Sequence, residues 1–358
     1  MGLIRFILAC GVVICHTSLI FGYKPLSGDL AVQCFYIISG FYMSLILNEK
    51  YVGKNATYLF YTNRALKIFP VYWVNLLLLI SWSVFVYFKG KFPGTVTLYN
   101  QNYISPLVVI YFILSNIFLI GLDWFFLFGL NKNGSLFFTK NFNSTNPKVY
   151  NFAFNSIAWT VGTELIFYLF APFIVTKKIW IIVTLLILSL GLRMGLAYHG
   201  LNFAPWNYMF FPTQIMFFMA GVLSYHLHNR IKYMNFRKYG LLILYFVFLF
   251  IICFYYKILQ DSIYKEVFLF ISTTLLIPFI FILTKNSKID GFFGDLSYPI
   301  YISQAFVITL SNVKAFPKPF GQGVSVLICV ILFSLLLKPL DKYRQKRMLF
   351  CQEITNSK

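Results

Sequence analysis

The residues of this chain that could do chemistry are few, because ionisable side chains are scarce inside its apolar stretches. Arg5 and His16 stand eleven residues apart in one such stretch. At ~100° and ~1.5 Å per residue, a helix brings them to within ~20° of the same face and ~16 Å apart along its axis. Arg5 then sits near one membrane surface and His16 deeper on the same stripe. Imidazole titrates near ~6.5, and burial away from charge favours its neutral form, which suits deprotonating a hydroxyl. A structural histidine is the competing reading, and the arginine on the same face together with the depth favours function. Glu164 is an acid well inside an apolar run, WTVGTELIFYLFAP. Two roles are open to it: pairing an intramembrane cation such as Arg193 or Arg5, or orienting a histidine and binding substrate hydroxyls.

Other candidates are weaker. Ser39-Gly40 in FYIISGF reads first as close helix packing through small residues; a nucleophilic serine would need a partnered base. His199, His226 and His228 fall at helix ends or in loops. No His or Cys spacing suggests a metal site, so no metal is expected. The six cysteines show no CxxC pattern, and five lie within apolar runs as small hydrophobes.

These residues are embedded in an unusual composition. Hydrophobic residues make up 59% and charged ones only 11%, against ~45–50% and ~25% in soluble domains. That excludes a soluble enzyme, a disordered chain and a disulfide scaffold. It leaves an all-α fold, a polytopic helical membrane protein in contact with the lipid bilayer. Apolar runs lie near 3–21, 30–47, 68–88, 104–122, 156–176, 179–197, 211–228, 239–256, 267–284, 297–313 and 323–340. The first lacks a signal-peptide cleavage site and reads as a retained helix. The net charge of +20 follows from loop topology rather than from nucleic-acid binding. The 48–67 loop, the 229–238 loop and the tail concentrate Lys and Arg and are assigned to the cytoplasm. Five runs lie between the first two of these loops, where an even number of crossings is required. One run is therefore not a simple crossing, and 104–155, with Asp123 and its Asn-rich stretch, is where it falls. About ten crossings with both termini cytoplasmic result. The organisation expected is one membrane domain over 1–340 and a basic tail over 341–358.

Six segments, in order, resemble one family, the integral-membrane acyltransferase-3 family. RFILACGVVICH resembles its Arg-x10-His signature, and AVQCFYIISGFYMSL its second-helix motif ending at Ser39-Gly40. FYTNRALKIFPVYW resembles its basic pair, here Arg64 and Lys67, and WTVGTELIFYLFAP its Trp-(Ser/Thr)-x3-Glu segment with Trp159, Thr160 and Glu164. FFMAGVLSYHL resembles its glycine-centred helix around Gly221, and GDLSYPIYISQ its Ser-Tyr-x-x-Tyr motif with Ser297, Tyr298 and Tyr301. Three positions depart from the pattern. Gln33 stands where Asp is frequent. Lys67 replaces Arg and loses the bidentate fork. Gln304 replaces His, which leaves His16 as the essential base and gives Gln304 at most a hydrogen bond to substrate.

The resemblance implies an inner-membrane O-acyltransferase of bacteria, multi-pass, with acyl-CoA on the cytoplasmic side as donor. The donor is usually acetyl-CoA, and the acceptor is a surface polysaccharide or lipid-linked glycan. Arg5, Arg64 and Lys67 would hold the CoA phosphates. His16 would be base or transient acyl carrier, and Glu164 its orienter or an acceptor ligand. Some members carry a fused extracytoplasmic domain. None is expected here, so the membrane domain must complete the transfer or hand on to a separate protein. A glycolipid or small-anion transporter is the alternative, since intramembrane ionisable residues suit it as well; a scaffold with degenerate motifs is a third reading.

Overall fold

The computed structural model describes residues 1–20, 22–23, 25–53, 55–90, 94–258, 262–313, 315–341 and 344. The basic tail over 341–358, including Lys342, Lys346, Arg347 and Cys351, lies outside the described residues apart from Asp341 and Arg344.

Three quarters of the protein is helical. The helices are α1 (Gly2–Cys15), α2 (Gly28–Glu49), α3 (Ala56–Lys89), α4 (Thr95–Gln101), α5 (Pro106–Phe118), α6 (Trp159–Ile174), α7 (Ile179–Tyr198), α8 (Phe211–Ile231), α9 (Lys238–Ile258), α10 (Ile263–Thr284), α11 (Lys288–Ser311) and α12 (Gln322–Leu337). Among the described residues each of the eleven apolar runs holds a helix, and seven helices are long and apolar enough to cross a membrane. α8 and α11 are also long, at 21 and 24 residues, but carry polar side chains. Two compact units divide the chain, one of residues 1–67, 171–186 and 216–358, the other of 68–170 and 187–215.

In the first unit α1 packs on α11 and α12 around Ala9, Val13, Leu296, Ile300, Val326 and Val330. The carboxylate of Asp290 accepts from the backbone N–H groups of Gly2 and Leu3 at 2.6 and 3.1 Å. α2 meets α8 through glycine. A Cβ on Gly40 would lie 2.0 Å from the Phe218 carbonyl oxygen, and one on Gly221 would lie 1.9 Å from that of Ile37. The small-residue reading of Ser39-Gly40 is therefore the one the packing uses. Beside this crossing Tyr36 stacks on Phe218 at 4.6 Å. Glu49 accepts from Lys232 at 3.2 Å where the two helices end, and on α10 Thr273 meets Cys34 and Phe281 meets Phe41. These contacts make α2, α8 and α10 run in one direction, and α1 and α11 parallel to each other. The loop charges require those same directions.

α1 differs from its apolar run. It ends at Cys15, with His16 as its C-cap, so it is only ~21 Å long. Polar Thr17 and Ser18 follow, and Ile20 bridges Tyr23, which folds the chain back instead of extending the helix.

In the second unit α5 has 13 residues, ~20 Å against a hydrocarbon core of ~30 Å. It stops where Leu119 adopts φ 68°. The following segment folds into short regular pieces. It forms a short antiparallel hairpin, β1 (Phe128–Leu130) and β2 (Leu136–Phe138), with single 3-10 turns around it. The Asn116 side chain donates to Phe152 O at 3.2 Å and accepts from Phe154 N at 2.9 Å. Phe112 stacks on Phe152 at 5.2 Å. Trp206 donates to Lys140 O at 2.8 Å. The Asn residues that make this stretch polar thus satisfy its irregular backbone. Asp123 is 2% exposed, and its Oδ1 has no hydrogen-bond partner among the described residues. Burial pushes its carboxyl up to about 7, against weaker opposing bonds from its own and Trp124 backbone N–H.

Two predictions follow from this packing. Gly221→Leu and Gly40→Val each force α2 from α8, and overpacking costs about 1–3 kcal/mol or more. Thermal melting of the purified protein in detergent, read by gel filtration, should show a drop of several degrees and reduced monodisperse yield, and an unchanged profile would refute the contact. For Asp123 the folded state holds its proton more tightly than the unfolded one. Wild-type stability therefore falls as pH rises from about 4 towards 7, by at most ~1.4 kcal/mol per unit. Asp123→Asn should flatten that slope and melt higher than wild type at pH 8.

Candidate active site

Eight of the ten predicted site residues fall in the first unit: Arg5, His16, Ser39, Gly40, Arg64, Lys67, Tyr298 and Tyr301. Trp159 and Glu164 belong to the second unit.

Arg5, one turn into α1, lies 5.9 Å from the Tyr42 ring centroid on α2. Arg64 and Lys67, both half-buried, stand one turn apart on α3. The charges of Arg5, Arg64 and Arg344 all act on Lys67, with Asp341 as the acidic counterpart. Lys50 joins the same field: partial burial, then Arg344 and Arg64, hold its ammonium below the usual lysine range. Arg344 is fixed by a two-pronged ion pair to Asp341, at 2.5 Å for each prong. Five cations therefore converge, where the sequence pointed to three. Lys50 and Arg344 read in the sequence only as loop and tail charge, because their nearness to Arg64 depends on α2, α3 and the chain after α12 meeting. Like charges so gathered favour a polyanionic ligand such as a phosphate ester.

His16 stands at the opposite end of α1. More than a third of its surface is exposed. The short α1 leaves its ring at a helix end, accessible to a substrate. Its Nδ1 lies 3.1 Å from Oε1 of Gln304, and Nε2 of Gln304 donates to the Tyr301 carbonyl at 2.8 Å. Gln304 is fully buried. It therefore serves the histidine, which corrects its assignment to substrate alone. The Ser-Tyr-x-x-Tyr segment is the part of α11 that carries it. Tyr301 is 8% exposed and meets Phe35 edge-on at 6.2 Å, and Ser297 bonds within its own helix to Gly294 O at 2.7 Å. Tyr298 is half-buried one turn before Tyr301. Ser39 is buried, and the ring of His16 bonds Gln304.

In the second unit the carboxylate of Glu164 accepts from the Tyr168 hydroxyl one turn along α6. Trp159 is 5% exposed, edge-on to Tyr208 at 4.9 Å and to Phe126 at 5.9 Å; its setting is an aromatic core. Arg193 lies half-buried on α7. In the first unit His228 packs against Phe41 and Phe281 at 5.8 and 5.2 Å. Among the described residues no three His, Cys, Asp or Glu side chains gather as a metal site would require.

The arrangement in the first unit thus has two ends on one helix: a cation cluster around Arg5 and an exposed, hydrogen-bonded imidazole ~16 Å further along. No curated protein and no solved structure matches the chain. A family model described as an acyltransferase domain matches residues 1–338, nearly the whole length. This multi-pass chain, with its signature arginine and histidine on one helix and its basic pair beside them, belongs to the acyltransferase-3 family.

Proposed function

We propose that this acyltransferase is an inner-membrane O-acetyltransferase. It moves an acetyl group from cytoplasmic acetyl-CoA to a hydroxyl of a surface polysaccharide or lipid-linked sugar. The observation that carries this reading is the two-ended helix. Arg5, Arg64, Lys67, Lys50 and Arg344 suit the phosphates of CoA. The arm joining those phosphates to the thioester runs beside α1, and the thioester arrives at His16. His16 takes the proton of the acceptor hydroxyl as that oxygen attacks the thioester carbonyl. The C–S bond breaks, and the proton passes to the departing thiolate, giving free CoA and an acetyl ester. Glu164, whose carboxylate accepts from Tyr168, keeps both roles its sequence position offers, orienting a histidine or binding acceptor hydroxyls.

The cation cluster and the histidine make separable predictions. His16→Ala, folded and inserted, should lose acetyl transfer from labelled acetyl-CoA by about 10²-fold or more. Arg64→Ala and Lys67→Ala should raise KM for acetyl-CoA about tenfold each, roughly the worth of a charge-assisted bond. A His16→Ala protein that still acetylates refutes the mechanism. In a deletion strain, loss of acetyl groups with normal glycan export is expected; loss of export would favour a transporter instead.

A further inference from the structure

Gln304 stands at a position where the family pattern has histidine, and its two bonds carry more information than either alone. A primary amide has one acceptor end and one donor end, and at a fully buried site both ends must be matched. The carbonyl of Tyr301 only accepts, so the amide nitrogen of Gln304 must face it, and that bond is 2.8 Å. Flipping the amide would set two carbonyl oxygens against each other at that distance. The amide oxygen therefore faces His16, 3.1 Å from Nδ1. An oxygen acceptor at that place requires a proton on Nδ1.

We propose that Gln304 is a positioning residue that fixes His16 as the Nδ1–H tautomer, leaving the lone pair of the reacting imidazole on Nε2. The inference rests on the acyl-transfer reading for its consequence, though the location of the proton does not. Nε2 has no hydrogen-bond partner among the described residues, and the side chain is more than a third exposed, so Nε2 is the nitrogen open to a substrate. The acceptor O–H gives its proton to Nε2 while its oxygen bonds the thioester carbon. The imidazolium so formed keeps Nδ1–H on Gln304 and returns the Nε2 proton to the thiolate as the C–S bond breaks. Nδ1 exchanges no proton in the cycle, and this is the service a neutral amide can provide. A histidine at 304 could itself titrate; a glutamine holds orientation without taking part in proton transfer. The Tyr-x-x-Gln end of the Ser-Tyr segment is thereby explained, with the Tyr301 backbone rather than its phenol aiming the amide.

The test uses full-length protein in detergent or nanodiscs, labelled with ¹⁵N-histidine. The His16 signals are identified by their loss in His16→Asn. In wild type without substrate, the ring nitrogens should report protonated Nδ1 and bare Nε2 at pH 8. Gln304→Leu removes the acceptor and should mix the tautomers; Gln304→Glu keeps an acceptor and should retain Nδ1–H. With acetyl-CoA, Gln304→Leu should lower kcat at least about tenfold with KM for acetyl-CoA unchanged, and Gln304→Glu should recover part of that loss. A protonated Nε2 in wild type, or a Gln304→Leu spectrum identical to wild type, overturns the proposal. Nδ1–H in wild type that becomes a tautomer mixture in Gln304→Leu, with no acetyl transfer by wild type or any variant, upholds the positioning and refutes the acetyl-transfer reading instead.

Discussion

Asp290 accepts from the N–H groups of Gly2 and Leu3 and from the Met1 nitrogen, and these donors at the start of a helix have no partner within it. A carboxylate from a neighbouring helix meets both the orphan donors and the positive end of the α1 dipole. Gly2 lets this happen, since a Cβ there would fall 1.7 Å from the Asp290 carbonyl oxygen. The contact sets the height of α1 against α11. Parallel helices in register keep a constant offset, and the Gly2–Asp290 and His16–Gln304 pairs share the same separation of 288 residues. The histidine reaches its glutamine because the other end of the pair is pinned. A slip of one residue would move His16 by ~1.5 Å and ~100°, enough to lose the bond.

The same register explains why the site is open at one end. α1 is ~21 Å long, so a helix anchored at one surface cannot cover a hydrocarbon core of ~30 Å. It stops inside, and irregular backbone at that depth is tolerated against protein or a wet cavity. His16, at the cap of this short helix, is more than a third exposed. The apolar run 3–21 shows the hydropathy of this region but not the stop, because Leu19 and Ile20 continue the apolar character while Thr17 and Ser18 turn the chain.

The parts of the fold legible in the sequence are those governed by hydropathy. Among the described residues every apolar run holds a helix, and the run 104–122 holds the short α5. The hairpin over 128–138 was not legible. Its strands are three residues each, and what holds them is aromatic packing and asparagine side chains whose partners lie far along the chain. Within the site, Arg5, His16, Arg64 and Lys67 were legible because motif spacing on a helix is local. Lys50, Arg344 and the service of Gln304 were not, because each depends on which helices touch. Ser39-Gly40 shows the opposite case. A motif that could have meant chemistry is used at Gly40 for the approach of Phe218, a contact no single-helix pattern reveals.

The partner of His16 bears on how its ring would behave. A carboxylate at Nδ1 would stabilise imidazolium strongly. The partner present is a neutral amide. A base with such a partner gains little from holding its proton, so it favours passing the proton on as soon as a thiolate is available.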